Sequence, residues 1–146
     1  MERLRKRAVS AAAAQFAALP WRHTGSGIEV LLITSRETQR WVIPKGWPIK
    51  GLKPHQAAAR EAFEEAGAGG QISRMPLGHY EYDKRQPGGS VIRCHVEVFA
   101  LEVMVQHPSW PEQGMRDCRW MPAREAATAV AEPELAAIIR NLKDGN

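Results

Sequence analysis

Apolar and polar residues alternate along several short runs of this chain, the period expected of strands that bury one face. Residues 12–19, 28–34, 41–43, 91–105 and 119–121 read as strands, and 72–82 reads as another with a break near Pro76. Three further segments, 54–66, 123–131 and 133–142, follow the helical period instead. The last is the clearest, with Leu135, Ile138, Ile139 and Leu142 on one stripe and Pro133 suited to a first helical turn. Gly69-Gly70, Pro87-Gly88-Gly89 and residues 108–111 mark turns between elements. Strands and helices are interspersed without the regular alternation of repeated βαβ units, which predicts a mixed sheet covered by helices on both faces.

No internal repeat and no dividing linker is apparent, so residues 1–146 are expected to form one domain, with residues 1–10 as a flexible basic tail. A chain of this length can bury roughly 70% of its unfolded surface without help from disulfides. Arg3, Arg5, Lys6 and Arg7, followed by alanines, superficially resemble a signal peptide. The apolar part is mostly Ala and is broken by Ser10 and Gln15, so a tail leading into a first strand is the better reading. No apolar run approaches the roughly 20 residues of a membrane span, and no membrane association is expected. Two cysteines, Cys94 and Cys118, are too few for a disulfide framework and point to a reducing, cytoplasmic setting. The formal net charge of +4 suits an anionic partner without saying which.

One segment carries candidate chemistry. It runs Pro44-Lys45-Gly46-Trp47-Pro48, passes Leu52, and enters a helix containing Arg60-Glu61-Ala62-Phe63-Glu64-Glu65-Ala66-Gly67. At about 100° per residue, Glu61, Glu64 and Glu65 share one arc of that helix, with Ala59, Ala62, Phe63 and Ala66 on the other side. Three carboxylates on one arc repel one another unless something positive sits among them, and hard oxygen donors suit Mg2+ or Mn2+. A solvated acidic face is the ordinary explanation for a lone Glu-Glu pair.

The spacing favours the metal. Residues 46–67 resemble the Nudix box, whose pattern is Gly, five residues, Glu, seven residues, Arg-Glu, two residues, Glu-Glu, one residue, Gly. Gly46, Arg60, Glu61, Glu64, Glu65 and Gly67 match it, and Leu52 stands where the first glutamate is usual. With each residue type at roughly 7% usage, six such matches arise by chance on the order of once in 10⁷ starting points. The flanking strand order is also similar to the family's α/β/α sandwich. In the family the first glutamate is tied to the box arginine, so Arg60 loses its expected partner, and Glu64 four residues later is a substitute candidate.

The resemblance implies a divalent-metal-dependent hydrolase of phosphoanhydride bonds. Glu61, Glu64 and Glu65, with the Gly46 carbonyl, would hold the metal ions, and Glu61 or the loop residue Glu112 would take the attacking water's proton. The run from Arg40 to Pro48 resembles the box entry of diadenosine polyphosphate hydrolases and diphosphoinositol polyphosphate phosphohydrolases. A small polyphosphate substrate is therefore expected, with Lys45 as the main phosphate contact, Arg40, Lys50 and Arg93 as further cations, and Trp47 as the stacking aromatic. Trp41 and Trp120 read as core, and His95 as a hydrogen-bonded structural residue. Two other classes stay open: a nucleotide-binding module without catalysis, which Leu52 permits, and an RNA-binding protein using its basic arm, for which no motif appears.

Overall fold

Every strand of the sheet can be placed relative to one long strand, β7 (Val91–Gln106). The structure, a computed structural model, describes residues 12–143; the expected basic tail at residues 1–10 lies outside them. β7 pairs parallel with β1 (Ala13–Thr24), from Ala13 opposite Cys94 to Trp21 opposite Glu102. Its first half pairs antiparallel with β6 (Gly78–Arg85) and its second half with β5 (Ala68–Ile72). The 72–82 segment is thus two strands laid end to end along one neighbour, because Pro76 cannot donate to a ladder and the chain must reset its register between them.

β1 runs past its expected end at residue 19 and turns at Gly25-Ser26 into β2 (Gly27–Thr34). β2 also pairs with β3 (Trp41–Val42) and β8 (Cys118–Pro122), and β4 (Lys45–Gly46) pairs with β1. The sheet is mixed, as the interspersed pattern predicts. β1 is central, and accordingly Ala17, Ala18, Leu19 and Trp21 are all buried, with no polar alternation left.

Two cores flank the sheet. On one face Ala17, Leu19, Trp21, Val96 and Val98 meet α2 (Ala123–Ala129) and α3 (Pro133–Arg140). On the other, Ala18, Leu31, Ile33, Phe99 and Leu101 meet α1 (Pro54–Ala66). The architecture is the expected α/β/α sandwich of the α+β type, with three helices among the described residues. Among those residues no helix is long and apolar enough to cross a membrane.

α1 has the predicted bounds. Lys53 is its N-cap, Pro54 opens it, and Gln56 Oε1 accepts the Lys53 N–H at 2.8 Å, which serves in place of a Ser or Asp cap. Its packed stripe is Ala58, Ala62 and Ala66, one position round from the expected one, with Ala59 and Phe63 half-buried at the margin. An all-alanine stripe lets the helix axis lie close to β1, which sets the depth at which its carboxylates emerge. The helix ends at Gly67 in the left-handed conformation (φ 69°), its N–H bonded to Phe63 O at 2.9 Å. A side chain there would also strike the Trp110 ring, 2.9 Å or less from a built Cβ.

Candidate active site

Two loops meet at α1. The β3–β4 segment crosses above its middle and places Gly46 against Glu61: a Cβ on Gly46 would lie 2.8 Å from Glu61 Oε1 and closer to the rest of the carboxylate. Only glycine lets that carboxylate occupy its position. One residue earlier, the Lys45 backbone N–H donates to Glu65 Oε1 at 3.2 Å. From the other side, the segment after β7 hooks onto the carbonyls left free at the end of α1, with His107 N–H on Gly67 O at 2.8 Å and Glu112 N–H on Glu64 O at 3.0 Å. This anchoring brings Glu112 and Arg116 beside the helix.

Arg116 links the parts. Its Nε donates to Glu112 Oε1 at 3.0 Å, its Nη1 donates to Thr34 O at 3.1 Å, and its Nη2 lies 3.8 Å from Glu65 Oε2. Sequence reasoning missed it, since nothing local distinguishes it from a surface arginine; its buried position results from three separate segments converging.

Glu61, Glu65, Glu112, Lys45 and Gly46 line one cavity of about 1050 Å3 between β1, β6, α1 and the loops. That exceeds the ~300–1,000 Å3 of a single small-ligand pocket. Arg40 and Trp47 also line it, the latter 41% exposed at the rim. Gln15, Tyr80, Tyr82 and Lys84 form the wall opposite α1, where Tyr82 Oη donates to Gln15 Oε1 at 2.7 Å and the Lys45 ammonium sits 4.9 Å above the Tyr82 ring.

Four expected contributors, Lys50, Arg93, Arg60 and Glu64, stay outside. Lys50 is exposed and does not line the cavity. Arg93 is on the opposite face of the sheet, paired with Asp83 at 2.9 Å and Glu81 at 3.1 Å across the β6–β7 ladder. His95 lies beside it, its Nδ1 3.2 Å from Glu81 Oε2, in the structural role expected of it. Arg60 is exposed and forms no ion pair with Glu64, so the guanidinium left without its family partner is solvated rather than buried. Of the tryptophans, Trp41 packs on the first core and Trp120 on the second, the latter with the Arg22 guanidinium 4.0 Å from its ring centre.

The electrostatics single out Glu61 and Glu65. Burial pushes the Glu65 carboxyl up to about 8, with Arg116 opposing and Glu61 reinforcing the shift. Burial also raises Glu61, helped by Glu64 and Glu112 and opposed by its hydrogen bond to Glu65. Two carboxylates can share a hydrogen bond only through a proton, so the pair holds one. Burial lowers the Lys45 ammonium, with Glu65 opposing.

The donor set fits a hard divalent cation. One buried and one half-buried carboxylate that must share a proton are a place where such a cation can replace it. Among the described residues no three acid or imidazole side chains already converge at ligating distance, and Glu64 lies just off the cavity wall. Six basic side chains (Arg36, Arg40, Lys45, Lys84, Arg85, Arg116) line the cavity against six acidic ones (Glu37, Glu61, Glu65, Asp83, Glu112, Glu132). A polyanion therefore gains little net attraction until further positive charge joins the acidic wall.

A mixed sheet between helices, with a glycine-backed acidic helix opening onto a polar cavity, defines the class, and the NUDIX domain family model matches residues 13–142. The chain belongs to the Nudix family. It is 44% identical over 122 residues to diphosphoinositol polyphosphate phosphohydrolase 3-beta of Bos taurus, a match covering 80% of this chain and 70% of that one. It is 35% identical over 106 residues to Nudix hydrolase 12, mitochondrial, of Arabidopsis thaliana, covering 68% of this chain. The chain spans about half the length of that plant relative, 50%. In structure it is similar to a C. elegans Ap4A hydrolase, with a TM-score of 0.60 at 21% identity, 88% of this chain and 94% of the other being covered. It also resembles the NUDIX domain of Shewanella oneidensis NrtR solved with ADP ribose, with a TM-score of 0.66 at 16% identity and coverage of 92% and 90%. At these identities the structural likenesses concern the fold.

Proposed function

We propose that the chain hydrolyses phosphoanhydride bonds in a nucleoside polyphosphate, dinucleoside polyphosphate or diphosphoinositol polyphosphate, with Mg2+ or Mn2+ as cofactor. The observation that carries this reading is the placement of Glu61 and Glu65, one backed by Gly46 and the other bonded to the Lys45 N–H, in the wall of the cavity that also holds the Lys45 ammonium.

Glu61, Glu65 and the Gly46 carbonyl would hold the metal ions, with Glu64 joining from the same helix. The cations supply neutralisation of the phosphate charge and acidification of a water molecule. Everything else falls to the chain. Lys45 binds the phosphates next to the scissile bond, held in line by Tyr82 and relieved of part of its own solvation by burial. Arg116 keeps Glu65 and Glu112 in register, so that both ends of the acidic wall move together. Glu112, anchored by its backbone to Glu64 and open to the cavity, is placed to accept the proton of the attacking water, as is Glu61. Trp47 stands exposed at the rim, where a base could stack. Two free cysteines, Cys94 buried and Cys118 exposed, accord with the proposed cytoplasmic location.

Glu64→Gln and Glu65→Gln, assayed on a panel of these substrates with phosphate and pyrophosphate release as readout, are expected to lower turnover by at least ~100-fold with the fold intact. EDTA should abolish activity and Mg2+ or Mn2+ restore it. Near-normal rates in both variants at saturating Mg2+, or full activity in metal-free protein, would refute the assignment. Binding without turnover would favour a nucleotide-binding module instead, and salt-sensitive RNA retention an RNA-binding protein.

A further inference from the structure

In the wall opposite α1 lies a carboxamide whose donors are unused. Gln15, on β1, is 4% exposed and lines the cavity. Its Oε1 accepts the Tyr82 Oη–H at 2.7 Å. Burial holds the Tyr82 hydroxyl above its ordinary range, so it stays protonated and donates, and the amide is fixed with its oxygen on the hydroxyl and its nitrogen turned away. No group among the described residues accepts from Nε2. Nor is that nitrogen sealed off: the buried side-chain atoms both closed to solvent and without a partner are those of Trp21, Trp110 and Glu132. Nε2 therefore opens where the residue itself opens, on the cavity. Buried N–H groups are nearly always bonded, so the acceptor for these two is one that enters the cavity.

The surroundings identify that acceptor. Lys45 stands opposite Ala17 in the β1–β4 pairing, so its side chain and that of Gln15 emerge on the same face, two residues or roughly 7 Å apart along β1. The Lys45 ammonium lies over the ring of the same Tyr82 whose hydroxyl holds Gln15. Lys84, two residues beyond Tyr82 on β6, lines the cavity as well and adds to the lowering of the Lys45 ammonium. We propose that Gln15 Nε2 donates to a non-bridging oxygen of the phosphate chain that Lys45 binds, which makes Gln15 a further specificity-determining residue and the Tyr82 hydroxyl the group that positions its amide. This inference rests on the polyphosphate reading above and deepens it. A neutral donor suits the place. Lys45 already loses solvation to burial and is opposed by Lys84, so a third cation would drive off its proton, whereas a carboxamide adds a bond to phosphate without adding charge.

The test measures binding rather than turnover. Methylenediphosphonate, a diphosphate mimic with a P–C–P link in place of the anhydride, is titrated calorimetrically at saturating Mg2+ into the wild-type protein, Gln15→Met, Gln15→Glu, Tyr82→Phe and the Gln15→Met/Tyr82→Phe double variant. Melting curves show that each is folded. Gln15→Met, of similar length but without a donor, is expected to weaken binding by roughly 10-fold or more, the scale of a lost hydrogen bond to a charged group. Gln15→Glu should weaken it further, since it sets an acceptor and a charge against phosphate. Tyr82→Phe keeps the ring beneath Lys45 and removes only the hydroxyl, so it should cost less than Gln15→Met and add nothing in the double variant. Mn2+ titrated without the anion should bind wild type and Gln15→Met alike, because Gln15 bonds to Tyr82 and not to the acidic wall. No methylenediphosphonate binding to the wild type, unchanged binding in Gln15→Met or Gln15→Glu, additive losses in the double variant, or an equal fall in Mn2+ affinity would overturn the proposal. If the anion result holds while no polyphosphate is hydrolysed in Mg2+, the catalytic reading fails and the Gln15 assignment stands.

Discussion

Replacing Gly46 with alanine isolates the placement of one carboxylate from everything else in the fold. The built Cβ would stand 2.8 Å from Glu61 Oε1, and nearer to the other carboxylate atoms, whereas carbon sits comfortably at about 3.5 Å from a non-bonded neighbour. The carboxylate must therefore retreat by roughly 1 Å. It can do so, because the obstructing group is the end of a flexible side chain and the Gly46 backbone is not among the positive-φ glycines. The fold should survive, with melting little changed, since a small gain from restricting the unfolded chain offsets the crowding. Function should not. Misplacing a reacting group by 1 Å costs about 10²-fold in rate, or about 2.7 kcal/mol in the barrier. The assay is steady-state kcat/KM across a Mg2+ titration, with Gly25→Ala as control, since nothing lies within 4 Å of a Cβ at that position. A Gly46→Ala enzyme within threefold of wild type, with an unshifted Mg2+ dependence, would refute the claim that Glu61 works from where it now lies.

Protons and cations should compete for Glu65. Its carboxyl is pushed up to about 8, so it is protonated below that pH and binding must displace the proton. Apparent Mn2+ affinity should then rise by about tenfold per pH unit up to about 8 and level off above, and a flat titration from pH 6 to 9 would contradict this. Lys45→Ala should raise KM for every polyphosphate and lower kcat where the contact strengthens in the transition state, whereas Trp47→Ala should weaken only base-bearing substrates, by about 1–3 kcal/mol per stacked base. Equal effects of the two variants on all substrates would count against both roles. Leu52→Glu should change kcat little, because Arg60 is already solvated and needs no partner; a hundredfold gain would show that the missing glutamate limits the enzyme.

Local chemistry made α1 readable to the residue: Pro54 at its start, alanines along its thirteen residues and Gly67 just past its end are all local signals. The carboxylate arc and Gly46 were legible for the same reason, since spacing along one helix is geometry. Features set by distant pairing were not. The parity of β7 was evident, with Arg93, His95 and Glu97 on one face, but which face would meet the cavity depends on β6 and the helices beyond it. Arg93 consequently faces away and pairs with Glu81 and Asp83. Arg116 and Gln15 escaped notice as site residues because each is defined by groups far away in sequence, Thr34 and Glu65 for one and Tyr82 for the other.

The parallel pairing of β1 with β7 has a bearing on how the chain comes to be folded. Each partner lies roughly 80 residues from the other, so nearly the whole domain must be synthesised before the central strand acquires its second neighbour. Until then the β1–β2 hairpin displays a bare apolar edge at Ala17, Ala18 and Leu19, an inviting template for another nascent copy. Gln15, polar within that edge, is the sequence's own interruption of it during the interval.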